Sequence, residues 1–565
     1  MLGSPRVDTK SPPKRRGDLA ALPANTDEVG GPACLGAIHH HCGTKRTIDQ
    51  VLCCTIQGCG RLCSCISLTT YPADLIKITS FYLSSFYTLE VQNTLHHTHI
   101  PEYPYSHNPT SPQPLFNSFD MPEYPAPYVK TSKPLTNKRK LKPLFVGISA
   151  AFTEKTSVAV AIAIHDSVYL HDYSIHHINL SSEPEKSDPV ANFIISSLQE
   201  YEKKHLCKFV GGGLPTDLEK ISPRLCSRLW SELDLVPITM RPDQEGEDAN
   251  MEDFTFWHAR GVDEQADSMA RKSIMCFGPN LSPLLQIGYR GVVEIDAGYK
   301  AHMHILDDYR KSCGQPTWDA MMVNAKSLKA RKTKIAFFSS TPQGGGVALM
   351  RHALVRFART VGVDLKWYVP KPKPGVFRIT KTIHNILQGV TGKDVRISDQ
   401  EKDSVSTWIT EHAERYWLCK GGPLQRPEDG GADVIIIDDP QMPSLIPLIK
   451  LLTPNRPVLY RSHIQVRSDL ANINGTPQQD IWDHLMTKIS QADMFISHPM
   501  PIFVPNNVPM DKVGYLPATT DWMDGLNKPL TEWDTQYYIN LYNQQAHAIR
   551  MCVSSLPSIL LKVAC

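Results

Sequence analysis

From Leu144 to Ser497, short apolar runs rich in β-branched and aromatic residues alternate with stretches whose apolar positions recur at three- and four-residue steps. That alternation predicts an α/β protein with a parallel sheet. The clearest unit is Lys334–Val363. Ile335-Ala336-Phe337-Phe338 has the length of a buried strand, and Gly344, Gly345 and Gly346 form a hinge. Val347, Met350, Leu354, Phe357 and Val361 then share one helical face, with Arg351, Arg356 and Arg359 projecting elsewhere and Gly362 as a stop. Strand, glycine turn and helix make half of a βαβ unit, with the unpaired N–H groups of the helix start aimed above the loop. TPQGGGVA matches neither G-x-G-x-x-G nor the P-loop pattern, so by itself the turn fits close helix packing as well as ligand binding.

The alternation continues beyond it. Asp364–Val369 reads as a strand ending at the proline-broken turn 370–374, and Phe377–Val390 as a helix with Ile379, Ile383, Ile386 and Leu387 inside. Ser398–Ala413 is a further helix. DVIIIDD at Asp433–Asp439 is a nearly continuous apolar strand of the parallel-sheet type, closed by two carboxylates and Pro440. Strand Pro457–His463, helix Gln478–Ser490 and strand Met494–Ser497 follow. Upstream, Leu144–Ser149, Val158–Ile164 and Ser167–His171 read as strands and Val190–His205 as a helix. Phe209-Val210 reads as a strand breaking into Gly211-Gly212-Gly213 before helical residues Asp217–Leu233. His165, His171, His176 and His177 are expected to be surface residues, because alternation along strands sends neighbours to opposite faces.

Composition limits the rest. The chain has 565 residues, with Lys+Arg 59 against Asp+Glu 57, and a net charge of +2 gives no electrostatic case for nucleic acid or an anionic membrane. Neither a secretory signal nor an uncharged run long enough to span a bilayer is visible, so a cytoplasmic setting with free thiols is the expectation. Cys34, Cys42, Cys53, Cys54, Cys59, Cys63 and Cys65 crowd the leader beside His39, His40 and His41, but their spacing reproduces no zinc pattern, and no metal is assigned. Ten prolines between Pro101 and Pro143 mark a linker, ending in the basic cluster Lys138, Arg139, Lys140 and Lys142. The expected organisation is a leader and linker over 1–143, a small α/β domain over 144–240, and a connector over 241–333. A Rossmann-like lobe over 334–545 and an aberrant tail over 546–565 complete it.

Five predicted strands end in hydrogen-bonding groups: Ser339/Ser340, Tyr368, Asp438/Asp439, Arg461/His463 and Ser497/His498. Ligands of open α/β sheets sit at that end. Taken alone, His463 reads equally well as a satisfied histidine at a strand end.

The stretches TPQGGGVALMRHALV, LKWYV, TKTIHNILQG, IIDDPQMPSLI, YRSHIQVRSDL and SHPMPIFVP, in that order, resemble the N-terminal Rossmann-like domain of the retaining glycosyltransferases that make or break trehalose. The fungal trehalose phosphorylases are the most similar branch. The resemblance covers roughly Lys334 to Gln545, and the α/β region from about Leu144 resembles the extra N-terminal domain of the fungal members. It implies an α/β fold of GT-B type (family 4), with the active site between two Rossmann-like lobes, and reversible phosphorolysis of trehalose to glucose and α-glucose 1-phosphate with retention. No cofactor is implied beyond phosphate or a nucleotide-sugar as co-substrate. His463 in RSHI would then lie beside the transferred glucose as the catalytic-site histidine. His384, Asn385, Asp439, Gln441 and Arg461 would bind substrate, and Gly344, Gly345 and Gly346 would let backbone N–H groups approach phosphate or sugar. No nucleophile is assigned.

After YYINLYNQQAHAIR the chain runs into MCVSSLPSILLKVAC, where the family continues into a second lobe carrying phosphate-gripping cations and paired glutamates. A C-terminally truncated form is therefore expected, with negligible phosphorolysis by itself. The alternatives are a nucleotide-sugar-dependent synthase and a non-catalytic sugar-binding or subunit-association fragment. Trehalose, glucose, phosphate and α-glucose 1-phosphate are the expected partners, with self-association through the exposed face of a lone lobe.

Overall fold

The computed structural model describes residues 140–180, 188–241, 257, 259–518, 521–525 and 527–554, with side chains of the final helix described to 544. The Cys-rich leader, most of the proline linker and the last residues of the tail lie outside the described residues.

The described residues form two main sheets. The first has strands β1 (Lys142–Glu154), β2 (Ser157–His165), β3 (Leu170–Asn179), β4 (Cys207–Pro215) and β5 (Val236–Met240), in the order β3-β2-β1-β4-β5. β1, β2 and β3 are antiparallel, and β4 runs parallel to β1 and β5. Helices α1 (Pro189–His205) and α2 (Leu225–Leu233) bury Ile194, Leu198, Leu225 and Leu229 against Val146, Ile148, Val160 and Phe209 on one face.

The opposite face is nearly flat, and the reason is glycine. Helix α3 (Val262–Ile274) lies so close that a Cβ on Gly147 would stand 1.8 Å from the Ala266 carbonyl oxygen, and one on Gly213 would stand 2.0 Å from that of Met269. Gly211–Gly213 is thus the interior of β4 and not the expected strand-to-turn junction, because Gly213 makes room for α3, Gly211 for the Phe277 ring and Gly212 for Val146 and Leu235. Helix α3, placed by sequence in the connector, is a layer of this sheet. Two further expectations shift. β3 begins at Leu170 instead of Ser167, since Asp166 accepts from the N–H groups of Val168 and Tyr169, both at 2.8 Å, and turns the chain there. His165 is buried, 2.7 Å from Asp267 on α3, and is not a surface residue.

A short hairpin, β6 (Gln286–Ile287) and β7 (Val293–Glu294), and helix α4 (Gln315–Ala330) lead to the second sheet. Its strands are β8 (Lys334–Phe338), β9 (Asp364–Tyr368), β10 (Val434–Asp438), β11 (Val458–Arg461), β12 (Met494–Ser497) and β13 (Val513–Tyr515). All neighbours pair in parallel, in the order β13-β12-β11-β10-β8-β9. Helix α5 (Gly345–Val361) and α4 cover one face, packing Leu354, Phe357 and Met321 on Ile335, Phe337 and Ile436. Helices α6 (Pro374–Leu387), α7 (Asp399–His412), α8 (Leu445–Leu452) and α9 (Pro477–Ile489) cover the other, on Phe338, Ile435, Ile437 and Tyr460. Burial on both faces is why VIIID and its neighbours read as unbroken apolar runs.

The chain leaves β8 outward to β9 and then returns to β10 on β8's other side, so the direction of winding reverses between β8 and β10. Open α/β sheets hold ligands at that kind of position, outside the strands' carboxyl ends. Beyond β13 the chain returns to the first sheet. Lys528 lies 2.6 Å from Asp234, and Trp533 Nε1 donates to the Cys207 carbonyl at 3.0 Å at the start of helix α10 (Glu532–Ser554). No helix among the described residues is long and apolar enough to cross a membrane, and the described cysteines 207, 226, 276, 313 and 419 are free thiols.

Candidate functional site

Asp438 ends β10 directly beside Arg461 of β11, with which it is in register. The Asp438 side chain is fully buried and is shared by three cations. Arg351 Nη2 of α5 and Arg461 Nη1 both donate to Oδ2, the latter at 3.2 Å, while His463 Nδ1 sits 2.6 Å from Oδ1. Burial pushes the Asp438 carboxyl upward, but His463, Arg351 and Arg461 together outweigh it and hold the group well below the usual carboxylate range.

Asp439 turns the other way. Its φ of +79° places a non-glycine residue in the left-handed region, and its carboxylate points back across the switch point. There Ser340, just past β8, donates its N–H and its hydroxyl to Oδ2, each at 2.7 Å. Oδ1 is left 3.2 Å from His463 Nε2. Both ring nitrogens of His463 therefore face carboxylates. Burial alone would lower its pKa, but Asp438 and Asp439 reverse the effect and raise it. The backbone is fixed as well, because His498 Nε2 donates to the His463 carbonyl at 2.7 Å.

The opposite wall comes from α6. His384 Nε2 lies 3.4 Å from Gln441 Oε1, and the His384 ring centroid is 5.9 Å from that of His463. Burial lowers the pKa of His384, with Asp439 opposing, so His384 favours the neutral imidazole while His463 favours the imidazolium. Two imidazoles of opposite protonation preference thus stand side by side, an acceptor and a set of donors in one cluster.

Of the residues singled out by sequence, His463, Asp439, His384 and Gln441 are brought together. Asn385 is half-buried at the next position of α6. Arg461 is 2% exposed and turned onto Asp438, so it supports the cluster from beneath and does not line the pocket. Gly344–Gly346 is exposed, with φ of +88° and +75° at Gly344 and Gly345 and open space where Cβ atoms would be. The turn connects to the cluster at both ends, through Ser340 before it and Arg351 after it.

Sequence reasoning missed the roles of three residues. Arg351 is 0% exposed, whereas the helical pattern placed it away from the core. Its charge is tolerated there by Asp438 and by the Phe337 ring, 4.1 Å from the guanidinium carbon. Asp438 and Ser340 were visible only as polar strand ends. The signal that could have found Arg351 is its place within the apolar run ALMRHALV, nearly two turns into the helix and across from a strand ending in two carboxylates.

A doubly covered parallel sheet with a buried charged cluster at its switch point defines a Rossmann-like α/β domain. Residues 143–283 match the family model described as "Trehalose phosphorylase-like, N-terminal domain", and residues 337–505 match "Trehalose synthase, N-terminal domain". Over these two regions the chain is similar to the trehalose phosphorylase-like family. It is 43% identical over 444 residues to a trehalose phosphorylase of Grifola frondosa, covering 71% of this chain and 60% of that one. It is 41% identical over 449 residues to that of Pleurotus pulmonarius, covering 72% and 60%. A trehalose synthase of Thermococcus litoralis is 30% identical over 227 residues, covering 40% and 48%. The chain thus spans about 60% of the length of the fungal relatives it matches.

Proposed function

We propose that this chain supplies the N-terminal half of a GT-B type glycosyltransferase of trehalose metabolism. Its reaction is the reversible phosphorolysis of trehalose to glucose and α-glucose 1-phosphate with retained configuration. The observation that carries the reading is the cluster at the switch point. The His463–Asp439 and His384–Gln441 contacts, at 3.2 and 3.4 Å, are longer than the 2.6–2.7 Å bonds that fix His463 and Asp439. Sugar hydroxyls inserted there exchange two long contacts for shorter ones, without disturbing the 2.6–2.7 Å bonds that hold the residues in place.

Retention requires the departing and entering groups on one face of a cation-like anomeric carbon, so positioning and charge balance carry the chemistry. In that scheme His463 donates from Nε2 to a hydroxyl of the transferred glucose, and Asp439 accepts from the same sugar. His384 and Gln441 orient the acceptor glucose, with Asn385 beside them. The glycine turn offers backbone N–H groups to phosphate. No residue of this chain is assigned as a nucleophile. The free thiols of the described residues fit a cytoplasmic setting, and self-association is part of the same proposal.

A nucleotide-sugar-dependent trehalose synthase is the second reading, favoured by the match of 337–505 to the synthase domain model. Calorimetry with glucose and trehalose tests the site: binding by wild type that is lost in His463→Ala supports it, and no binding of either sugar by wild type overturns it. Incubation of trehalose with phosphate or with a nucleoside diphosphate then separates the readings. α-Glucose 1-phosphate supports phosphorolysis, a nucleotide-glucose product made without phosphate supports the synthase, and a β-anomer excludes retention. A chain that binds sugar but forms no product with either acceptor is the subunit-association fragment.

A further inference from the structure

We propose that His384, Asp439 and His463 form a binding site for a first-row transition-metal dication of the zinc type, and that its occupancy closes the sugar cleft. One donor atom from each residue lies within 4.8 Å of the others. Bonds of about 2.0–2.1 Å in a tetrahedral shell place donor atoms roughly 3.4 Å apart. Asp439 Oδ1 and His463 Nε2 already stand 3.2 Å apart, so only His384 must move. It is held on that side by one 3.4 Å contact to Gln441.

The donor chemistry selects the ion. Two imidazole nitrogens and one carboxylate oxygen suit zinc, cobalt, nickel or copper, whereas magnesium and calcium prefer all-oxygen sites. The supporting groups also have the arrangement such sites use. His463 is oriented by Asp438, at 2.6 Å from its other ring nitrogen, a carboxylate behind a metal-ligating histidine. Asp439 is oriented by two 2.7 Å bonds from Ser340, which occupy Oδ2 and leave Oδ1 turned to His463 Nε2. Two of the three ligands are therefore fixed before any ion arrives, and a water completes the tetrahedral shell. Binding replaces the hydrogen on His463 Nε2 with the metal and releases one proton to solvent.

Closure of the cleft rests on the sugar-binding proposal, since the metal would take the same atoms offered to glucose. Metal binding itself rests only on the three side chains. The test uses the full chain without an affinity tag, stripped with chelator and titrated with CoCl2 and ZnCl2. Because Cys34–Cys65 and His39–His41 bring their own donors, the readout is the difference between wild type and His384→Ala. The expected result is loss of one metal equivalent, together with loss of the four- or five-coordinate Co(II) absorption that carries no sulfur charge-transfer band. Asp439→Asn should weaken the same site at least tenfold. His171→Ala and His302→Ala, at surface histidines beside Asp166 and Glu219, should leave it intact.

Equal metal uptake by wild type and His384→Ala overturns the proposal, provided their thermal midpoints agree. His384→Gln gives the same comparison if the alanine variant does not fold. Glucose should raise the apparent Kd for cobalt. If cobalt binds through His384 and glucose has no effect, the metal site stands and the sugar assignment falls.

Discussion

Asp438→Asn is the most informative single change. The substitution keeps the shape of the side chain and removes its charge, leaving two guanidinium groups, at 0% and 2% exposure, around a neutral amide. Breaking one partner of a buried ion pair costs about 3–5 kcal/mol, because the remaining charge is left uncompensated. Here Arg351 and Arg461 are stranded together while His463 can shed its proton, so a loss of about 4 kcal/mol is expected. For a unit of this size that corresponds to a fall in Tm of about 10 °C. Thermal and urea unfolding should be followed by the fluorescence of Trp367, Trp408, Trp417 and Trp482, all buried in or beside the second sheet. Arg351→Met should restore part of the loss, since it removes one stranded charge: the double variant should be at least about 1.5 kcal/mol more stable than the sum of the single effects implies. A Tm for Asp438→Asn within 2 °C of wild type, or strict additivity with Arg351→Met, would refute the view that this carboxylate holds the cluster together.

Other outcomes follow from the same physical reasoning. Gly213→Ala should cost about 3 kcal/mol or more, because its Cβ meets backbone of α3 at 2.0 Å. Gly346→Ala, with open space and ordinary φ, should hold Tm or raise it by the few tenths of a kcal/mol typical of a helix start. If Gly346→Ala keeps its Tm but loses phosphate or sugar binding in calorimetry, the turn serves backbone approach, whereas unchanged binding removes that role. Glu202 is pushed up to about 7, chiefly by burial and against the opposing charge of Lys208. Its folded form therefore holds a proton that the unfolded chain has lost above about 4.5, so this contribution to stability is full below that pH and disappears as pH rises through 7. Wild type should lose up to about 3 kcal/mol between pH 5 and 8 from this group, and Glu202→Gln should flatten the slope. An identical Tm-against-pH curve for the variant contradicts the assignment.

How much of this was legible in the chain depends on which force decided each element. The strands at Ile335–Phe338, Val434–Asp438 and Val458–Arg461 are buried on both faces, so their apolar runs announced them, and helices α5, α6, α7 and α9 carried their own periodicity and stops. Glycine clusters usually mark turns, and only contacts distant in sequence, α3 at Gly213 and the Phe277 ring at Gly211, explain these as strand. His165 was misplaced for a related reason: its partner, Asp267, also lies on α3. The return of residues 521–544 to the first sheet depends on Lys528, Trp533 and Tyr538 meeting Asp234 and Cys207, pairings that no local pattern records. At the site, the residue types and strand ends were visible, but which carboxylate served which partner was not.

That last distinction turns on one backbone angle. Adjacent strand residues point to opposite faces, so two successive aspartates at a strand end should not serve the same side chain. Asp439 does so because its φ of +79° breaks the alternation. A left-handed non-glycine residue costs of order 1–3 kcal/mol and persists only where surroundings enforce it. The two hydrogen bonds from Ser340 supply that enforcement across the gap between β10 and β8. The result is one imidazole held between two carboxylates from consecutive residues, Asp438 on Nδ1 and Asp439 on Nε2. The first contact is short, buried and tied to two arginines, while the second is longer and tied to Ser340. The strain at Asp439 thus separates the pair into a carboxylate that holds two arginines and one that ties β8 to His463, a division that the sequence Asp-Asp does not contain.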